Sequence, residues 1–171
     1  MKNIYLVGFM GTGKSAVGSE LARKKKWQFV DLDSLIELKE QRTITDIFAK
    51  EGEAYFRRLE KKTLKEVAKE KKFVVACGGG IVLDEANIRI MKDTGTIICL
   101  QASPEEILKR VSGTKQRPLL NVSNPKERIE LLLKLRSPYY AKAHKCIDTS
   151  RLSLKEVIAK ILKVSSGRNN I

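Results

Sequence analysis

The chain is 171 residues long, 42% hydrophobic and 32% charged, the make-up of a single globular domain rather than a disordered segment. No apolar run approaches the length needed to cross a bilayer. Its 34 Lys and Arg against 20 Asp and Glu give a net charge of +14. These lysines are mixed with glutamates or gathered at helix ends, as in Arg23-Lys24-Lys25-Lys26 and Lys69-Glu70-Lys71-Lys72, so the charge reads as a solvated surface and not as a nucleic-acid face.

The first apolar run, Ile4-Tyr5-Leu6-Val7, predicts a strand. It leads into Gly8-Phe9-Met10-Gly11-Thr12-Gly13-Lys14-Ser15, which fits G-x-x-x-x-G-K-[S/T], and a helical pattern over 14–25 follows. A strand before and a helix after is the setting in which this spacing forms a phosphate-binding P-loop. The glycines let successive backbone N–H groups turn inward around a phosphate, and the helix adds its positive end. Lys14 supplies a mobile cation for the β- and γ-phosphates. Ser15 offers a hydroxyl to Mg²⁺, a hard cation that takes oxygen ligands and keeps several waters.

A second strand, 27–30, runs into Asp31-Leu32-Asp33. A P-loop needs an acidic group at the end of a neighbouring strand to help hold the metal. If the extended backbone continues, Asp31 and Asp33 share a face, one for the metal and one for the phosphoryl acceptor. An aspartate here can equally cap the helix predicted over 34–40. Helices follow at 44–50 and 53–71. On the second, Arg57 and Arg58 come after the core position Phe56, and periodicity does not decide which faces a site. Glu60, one turn on, is a plausible orienting partner for Arg57, and surface ion pairing is the reading for both arginines from the residues alone. The third strand, 73–77, closes on Cys77-Gly78-Gly79-Gly80. Three glycines at the carboxyl end of a parallel strand let a ligand approach the backbone, at the edge where open α/β sheets bind ligands.

A helix is predicted over 85–93, a strand over 96–100 and a helix over 104–112, the last opened by Ser103-Pro104-Glu105-Glu106. Arg110 at its end, and Arg151 later, offer guanidinium faces to stack on an adenine. The stretch 112–124 mixes glycine, proline and charge without a period, and a connection this long is usually functional. Arg117 within it can close over a bound nucleotide as a charge-stabilising finger. The helix predicted over 126–142 carries the stripe Ile129, Leu132 and Leu133. Arg136 lies i+7, i+4 and i+3 from these and falls on the inward face. A buried guanidinium needs an anionic partner, and its planar fork suits a carboxylate or a phosphate. Pro138 should end or bend this helix. A last strand, 145–147, and a helix, 153–164, opened by the capping box Ser153-Leu154-Lys155-Glu156, precede a frayed tail at 165–171. Strand–helix alternation throughout implies a mainly parallel sheet covered on both faces. Cys77, Cys99 and Cys146 form no C-x-x-C pair, so they read as small core hydrophobes and not as a disulfide or zinc framework. The lone His144 reads as a solvated loop residue. The first strand starts so near the N-terminus that no signal peptide fits, which predicts a cytoplasmic protein.

Taken in order, G-F-M-G-T-G-K-S, F-V-D-L-D-S-L-I-E, I-T-D-I-F-A-K-E-G-E-A-Y-F-R-R-L-E, C-G-G-G-I-V, R-P-L-L and R-S-P-Y-Y resemble the shikimate kinases, over nearly the whole chain. The resemblance implies a three-layer α/β/α sandwich in one domain, 1–171, with a five-stranded parallel sheet of order 2-3-1-4-5. It also implies a shikimate-binding region at about 32–60 and a mobile lid at about 112–124. The implied reaction moves the γ-phosphoryl group of MgATP to the 3-hydroxyl of shikimate. Gly11, Thr12, Gly13, Lys14, Ser15 and Ala16 would hold ATP, with Arg110, Arg117 and Arg151 on its far side. Ser15 and Asp31 would hold Mg²⁺. Asp33, Arg57, Gly78, Gly79, Gly80 and Arg136 would bind shikimate, with Glu60 in support. Asp33 would also accept the hydroxyl proton, and Lys14 and Arg117 would neutralise the transferring group. The resemblance thus selects Arg57 over Arg58. Leu152-Ser153-Leu154 departs from relatives that set a proline against the adenine. The implied protein is a monomer in the cytoplasm, acting on a small molecule with neither nucleic acid nor membrane as a partner. A related kinase acting on gluconate or a nucleoside monophosphate is the nearest rival. A basic P-loop ATPase on nucleic acid is disfavoured by the lack of an aromatic-rich basic face.

Overall fold

The computed structural model describes residues 2–112 and 123–166. Five strands form one sheet: β1 (Asn3–Val7), β2 (Gln28–Asp31), β3 (Phe73–Ala76), β4 (Gly95–Gln101) and β5 (Lys145–Asp148). Their order is β2-β3-β1-β4-β5 and every pair is parallel, the expected architecture. The central strand β1 sets Ile4 beside Val74 on one side and Thr96 on the other.

Both faces of β1 are buried, as in a parallel sheet covered by helices. Ile4 and Leu6 join Val74, Ile98 and Leu100 on one face. There they pack on Val17 and Leu21 of α1 (Lys14–Lys25) and on Val157, Ile158 and Ile161 of α7 (Leu154–Ser166). Tyr5 and Val7 join Val75, Ile97 and Cys99 on the other face. They meet α3 (Ile44–Val67), α4 (Glu85–Thr94), α5 (Pro104–Val111) and α6 (Pro125–Tyr140), through Leu64, Met91, Ile107 and Ile129 respectively. Truncating such a buried Leu or Ile to Ala typically costs about 2–5 kcal/mol. A small separate cluster of Ile36, Ile47 and Phe56 joins α2 (Leu32–Glu40) to α3.

Several expected boundaries move for local reasons. The helices expected at 44–50 and 53–71 are one run with a kink at Gly52, whose φ of 80° and ψ of 173° are not helical. α2 starts two residues early because the Asp31 carboxylate caps it, accepting from the N–H groups of Asp33 and Ser34. Asp33 is therefore helical, and the strand alternation that was to align it with Asp31 does not apply. α6 continues past Pro138 to Tyr140, with the Ser137 hydroxyl donating at 3.3 Å to the Lys134 carbonyl that a residue-138 N–H would have served. Ser103 and Ser153 cap as expected, the latter reciprocally with Glu156. The tail was expected to fray from 165, but α7 includes residues 165 and 166, and the rest of that expected tail lies outside the described residues. His144 is no solvated loop residue: it is half-buried, and its Nδ1 accepts from the Ile97 N–H at 2.9 Å. Cys77 and Cys99 are buried and Cys146 partly so, all free thiols. Most of the expected lid, Arg117 included, lies outside the described residues.

Candidate active site

The carboxyl ends of the five parallel strands share one edge of the sheet, and the candidate residues within the described chain sit on the loops or helix starts leaving that edge, except Arg57, Arg110 and Arg136. These three arginines reach in from α3, the last turn of α5 and α6 respectively.

On the donor side, Gly8 leaves β1 with φ 136° against the β4 backbone, where a Cβ would overlap the Leu100 carbonyl. Gly13, at φ 93° and ψ 14°, ends the loop and starts α1 with no side-chain cap. Thr12 Oγ1 closes the loop on the Phe9 carbonyl at 2.8 Å. Lys14 Nζ lies across the loop, donating to the carbonyls of Gly8 and Phe9 at 2.9 Å each. Gly11 stands in the loop at φ 75°, and Ala16 is exposed on the first turn of α1. Ser15 Oγ donates to Asp31 Oδ2 at 2.7 Å, while Asp31 Oδ1 caps α2. Two hard oxygens side by side at the loop's end fit a Mg²⁺ that takes few protein ligands and keeps its waters.

Arg110 ties the donor side together. Its guanidinium donates to Gly11 O at 3.2 Å, Thr149 Oγ1 at 3.1 Å and Thr149 O at 3.1 Å, and Glu106 steadies Nε at 2.8 Å. Thr149 is buried and its hydroxyl also lies 3.3 Å from Thr12 O. The loop after β5 is thereby fastened to the P-loop. Arg151, on that loop, is exposed.

On the acceptor side, the three glycines after β3 each make room for a different polar group. A Cβ on Gly78 would lie 2.7 Å from Glu60 Oε1 and 3.0 Å from Asp33 Oδ1. On Gly79 it would lie 3.4 Å from Arg136 Nη1 and 3.5 Å from Gly8 O. On Gly80 it would lie 2.7 Å from Arg57 Cζ. Gly78 and Gly80 are thus needed for close approach, since real Cβ contacts below 3.0 Å essentially do not occur, whereas a Cβ on Gly79 would make only ordinary contacts. Because Gly8 O also accepts from Lys14, the donor loop and the acceptor loop abut at Gly79.

Arg57 lies over the Phe56 ring and donates to Glu60 Oε2 at 2.7 Å and to Glu53 Oε1 at 3.0 Å. Burial works against its charge, but Glu60 and Glu53 outweigh burial and push its pKa up. Glu60 answers differently, because its side chain is 1% exposed against 29% for Arg57. Burial raises its pKa from 4.5 to about 7, with Arg57 opposing and Asp33 adding to the rise. Its Oε1 has no hydrogen-bond partner among the described residues. Arg58 is exposed, its guanidinium over the Tyr55 ring. Arg136 is 8% exposed and stands 5.7 Å from the Phe9 ring centre. Among the described residues no carboxylate lies within ion-pair distance of it. A buried cation without a counter-charge beside two more polar groups and a bare backbone is built to receive an anion.

The structure therefore gathers Asp33, Arg57, Glu60, Gly78, Gly79, Gly80 and Arg136 into one pocket beside the P-loop. It separates Arg58 from that pocket. Two contributors escaped the sequence reading, Thr149 and Tyr140. The Tyr140 hydroxyl donates to Gly79 O at 2.7 Å. Its signal was the i+4 spacing from the inward Arg136; Thr149 carries none.

A family model described as shikimate kinase matches residues 10–166. The chain is 48% identical to a shikimate kinase of Thermodesulfovibrio yellowstonii, over 95% of this chain and 94% of that one. It is 47% identical to that of Thermoanaerobacter pseudethanolicus, over 95% of each. Among solved structures it resembles the shikimate kinase from Acinetobacter baumannii in complex with shikimate. There the TM-score is 0.94 and the identity 39%, over 100% of this chain and 96% of that one.

Proposed function

The chain belongs to the shikimate kinase family, an ATP-dependent phosphotransferase family, and we propose how its residues divide the transfer of the γ-phosphoryl group of MgATP to the 3-hydroxyl of shikimate. Gly11 to Ala16 wrap the donor phosphates with backbone N–H groups and the start of α1. Lys14 exchanges its loop carbonyls for phosphate oxygens. Ser15 and Asp31 hold Mg²⁺, which when bound spreads and neutralises charge on the β- and γ-phosphates. Arg110 and Arg151 border the adenine, and Arg117 closes over the transferring group.

Arg57 and Arg136 grip the acceptor's carboxylate, and Gly78, Gly79 and Gly80 form the pocket floor. Asp33, facing Gly78 across from Glu60, binds the ring hydroxyls and takes the proton of the attacking one. Holding donor and acceptor in line, with water excluded, supplies most of the acceleration in such a reaction. All of these groups come from one chain, which supports action as a monomer on a small molecule. No described helix is long and apolar enough to cross a membrane. We assign the protein to the cytoplasm, with neither nucleic acid nor membrane as a partner.

The observation that carries the pocket assignment is the buried Arg136 against Gly79, with no carboxylate within ion-pair distance among the described residues. In coupled ADP-release assays, Arg136→Ala raises KM for shikimate by about 10–100-fold and leaves KM for ATP near the wild-type value. Asp33→Asn lowers kcat by about 10²–10⁴-fold. An equal loss of ATP affinity in Arg136→Ala overturns the carboxylate assignment, and an unchanged kcat removes Asp33 from proton transfer.

A further inference from the structure

α6 ends on Tyr140, a residue to which the roles above give no task. It is 3% exposed, yet its hydroxyl meets two groups of the acceptor pocket. It lies 2.7 Å from the Gly79 carbonyl oxygen, and it shares the Gly79 Cα with Arg136, one helical turn earlier: a Cβ there would lie 3.6 Å from the phenol oxygen and 3.4 Å from Arg136 Nη1. A guanidinium only donates and a carbonyl only accepts. The phenol therefore gives its proton to Gly79 O, and the neighbouring guanidinium can approach the phenol only as a donor to its oxygen. Burial pushes the phenol pKa up to about 12, so the donor proton stays in place across the neutral range.

The backbone around Arg136 needs such a tie. Pro138 removes the N–H that would bond the Lys134 carbonyl, and a serine hydroxyl at 3.3 Å takes its place. The last turn of α6, which carries Arg136, is held partly by side chains rather than by a full backbone ladder. Gly79 in turn faces the Gly8 carbonyl that receives Lys14, 3.5 Å from where a Cβ would stand. One phenol thus connects the arginine of α6, the loop after β3 and, through Gly79, the edge of the P-loop.

We propose that Tyr140 is a positioning residue of the acceptor pocket, its hydroxyl aiming Arg136 and fixing the Gly79 peptide so that the remaining guanidinium N–H groups meet the acceptor's carboxylate. This rests on Arg136 binding that carboxylate. Tyr140→Phe keeps the ring and its packing and removes only the hydroxyl. The expected result is a rise of about tenfold in KM for shikimate, with kcat and KM for ATP within about twofold of wild type. Preference for shikimate over its uncharged methyl ester falls by the same factor, a change that loosened packing alone does not produce. In an Arg136→Ala background, Tyr140→Phe adds nothing further, because the two residues act as one unit. Thermal melts confirm that each variant is folded. An unchanged shikimate KM in Tyr140→Phe, an effect that adds to that of Arg136→Ala, or an equal rise in KM for ATP overturns the proposal. If Arg136→Ala itself leaves shikimate KM unchanged, the pocket assignment falls and this proposal with it. If only Tyr140→Phe is silent, the pocket stands and Tyr140 leaves it.

Discussion

Glu60 shows how one side chain can be both costly and useful. It gives one oxygen to Arg57 and holds the other toward Gly78 and Asp33, in a place too dry to favour its charge. With its pKa raised from 4.5 to about 7, the folded protein holds a proton that the unfolded chain would release. Its contribution to stability is then full below about pH 4.5 and is lost as pH climbs through about 7. The melting midpoint falls between about pH 5 and about pH 8, and Glu60→Gln, which stays neutral, flattens that fall. A wild-type midpoint that is level over this range, or a variant that keeps the slope, assigns the titration elsewhere. This depth was not legible in the sequence. A glutamate three residues from an arginine on a helix is ordinary surface chemistry, and only the packing of Gly78 on top of it makes it buried. Arg136 was legible in part: its spacing from Ile129, Leu132 and Leu133 sets it on the inward face, and the structure buries it there where the sequence still allowed it to reach out past Pro138. Arg57 and Arg58 were not separable by period, and only the family resemblance chose between them.

Elements with strong local signals stand where the residues predict them: the five strands, and the helices with serine caps. Misjudged boundaries trace to single groups. Asp31 was weighed as metal ligand or cap, and it serves as cap through one oxygen while meeting Ser15 with the other. The residues predict a gap between two helices around Gly52, and the structure makes it a kink within one run. Its φ of 80° and ψ of 173° belong to a region that side chains scarcely enter, although the space around a Cβ there is open. Gly52→Ala therefore costs about 1–3 kcal/mol of backbone strain with no packing term. Urea unfolding reads this as a lower midpoint at constant slope. An unshifted midpoint means that α3 straightens through the site at no cost.

At the scale of the molecule, the acceptor pocket draws on α2, α3, the loop after β3 and α6, so ligand affinity and global stability are linked. At a hundredfold excess over Kd, a ligand that binds only the folded chain adds about 2.7 kcal/mol. Shikimate should raise the melting midpoint of the wild type by several degrees and that of Arg136→Ala by much less. Equal shifts in the two would move the binding site away from Arg136. The surface charge fits the same picture of a small-molecule enzyme: Lys61 pairs with Asp84 at 2.8 Å, Lys39 of α2 with Glu66 of α3, and Lys142, in the turn after α6, with Glu85 of α4. Such exposed pairs contribute little each.

The central seat of β1 also has a consequence in time. The strand that carries the P-loop is made before the other four, yet its neighbours in the sheet are residues 73–76 and 95–101. β1 has an unpaired edge on each side until residue 76 has been made and on one side until residue 101, and until then the loop it supports lacks its full scaffold. Such late, distant pairing slows folding and leaves a sticky nascent segment that must be shielded during translation.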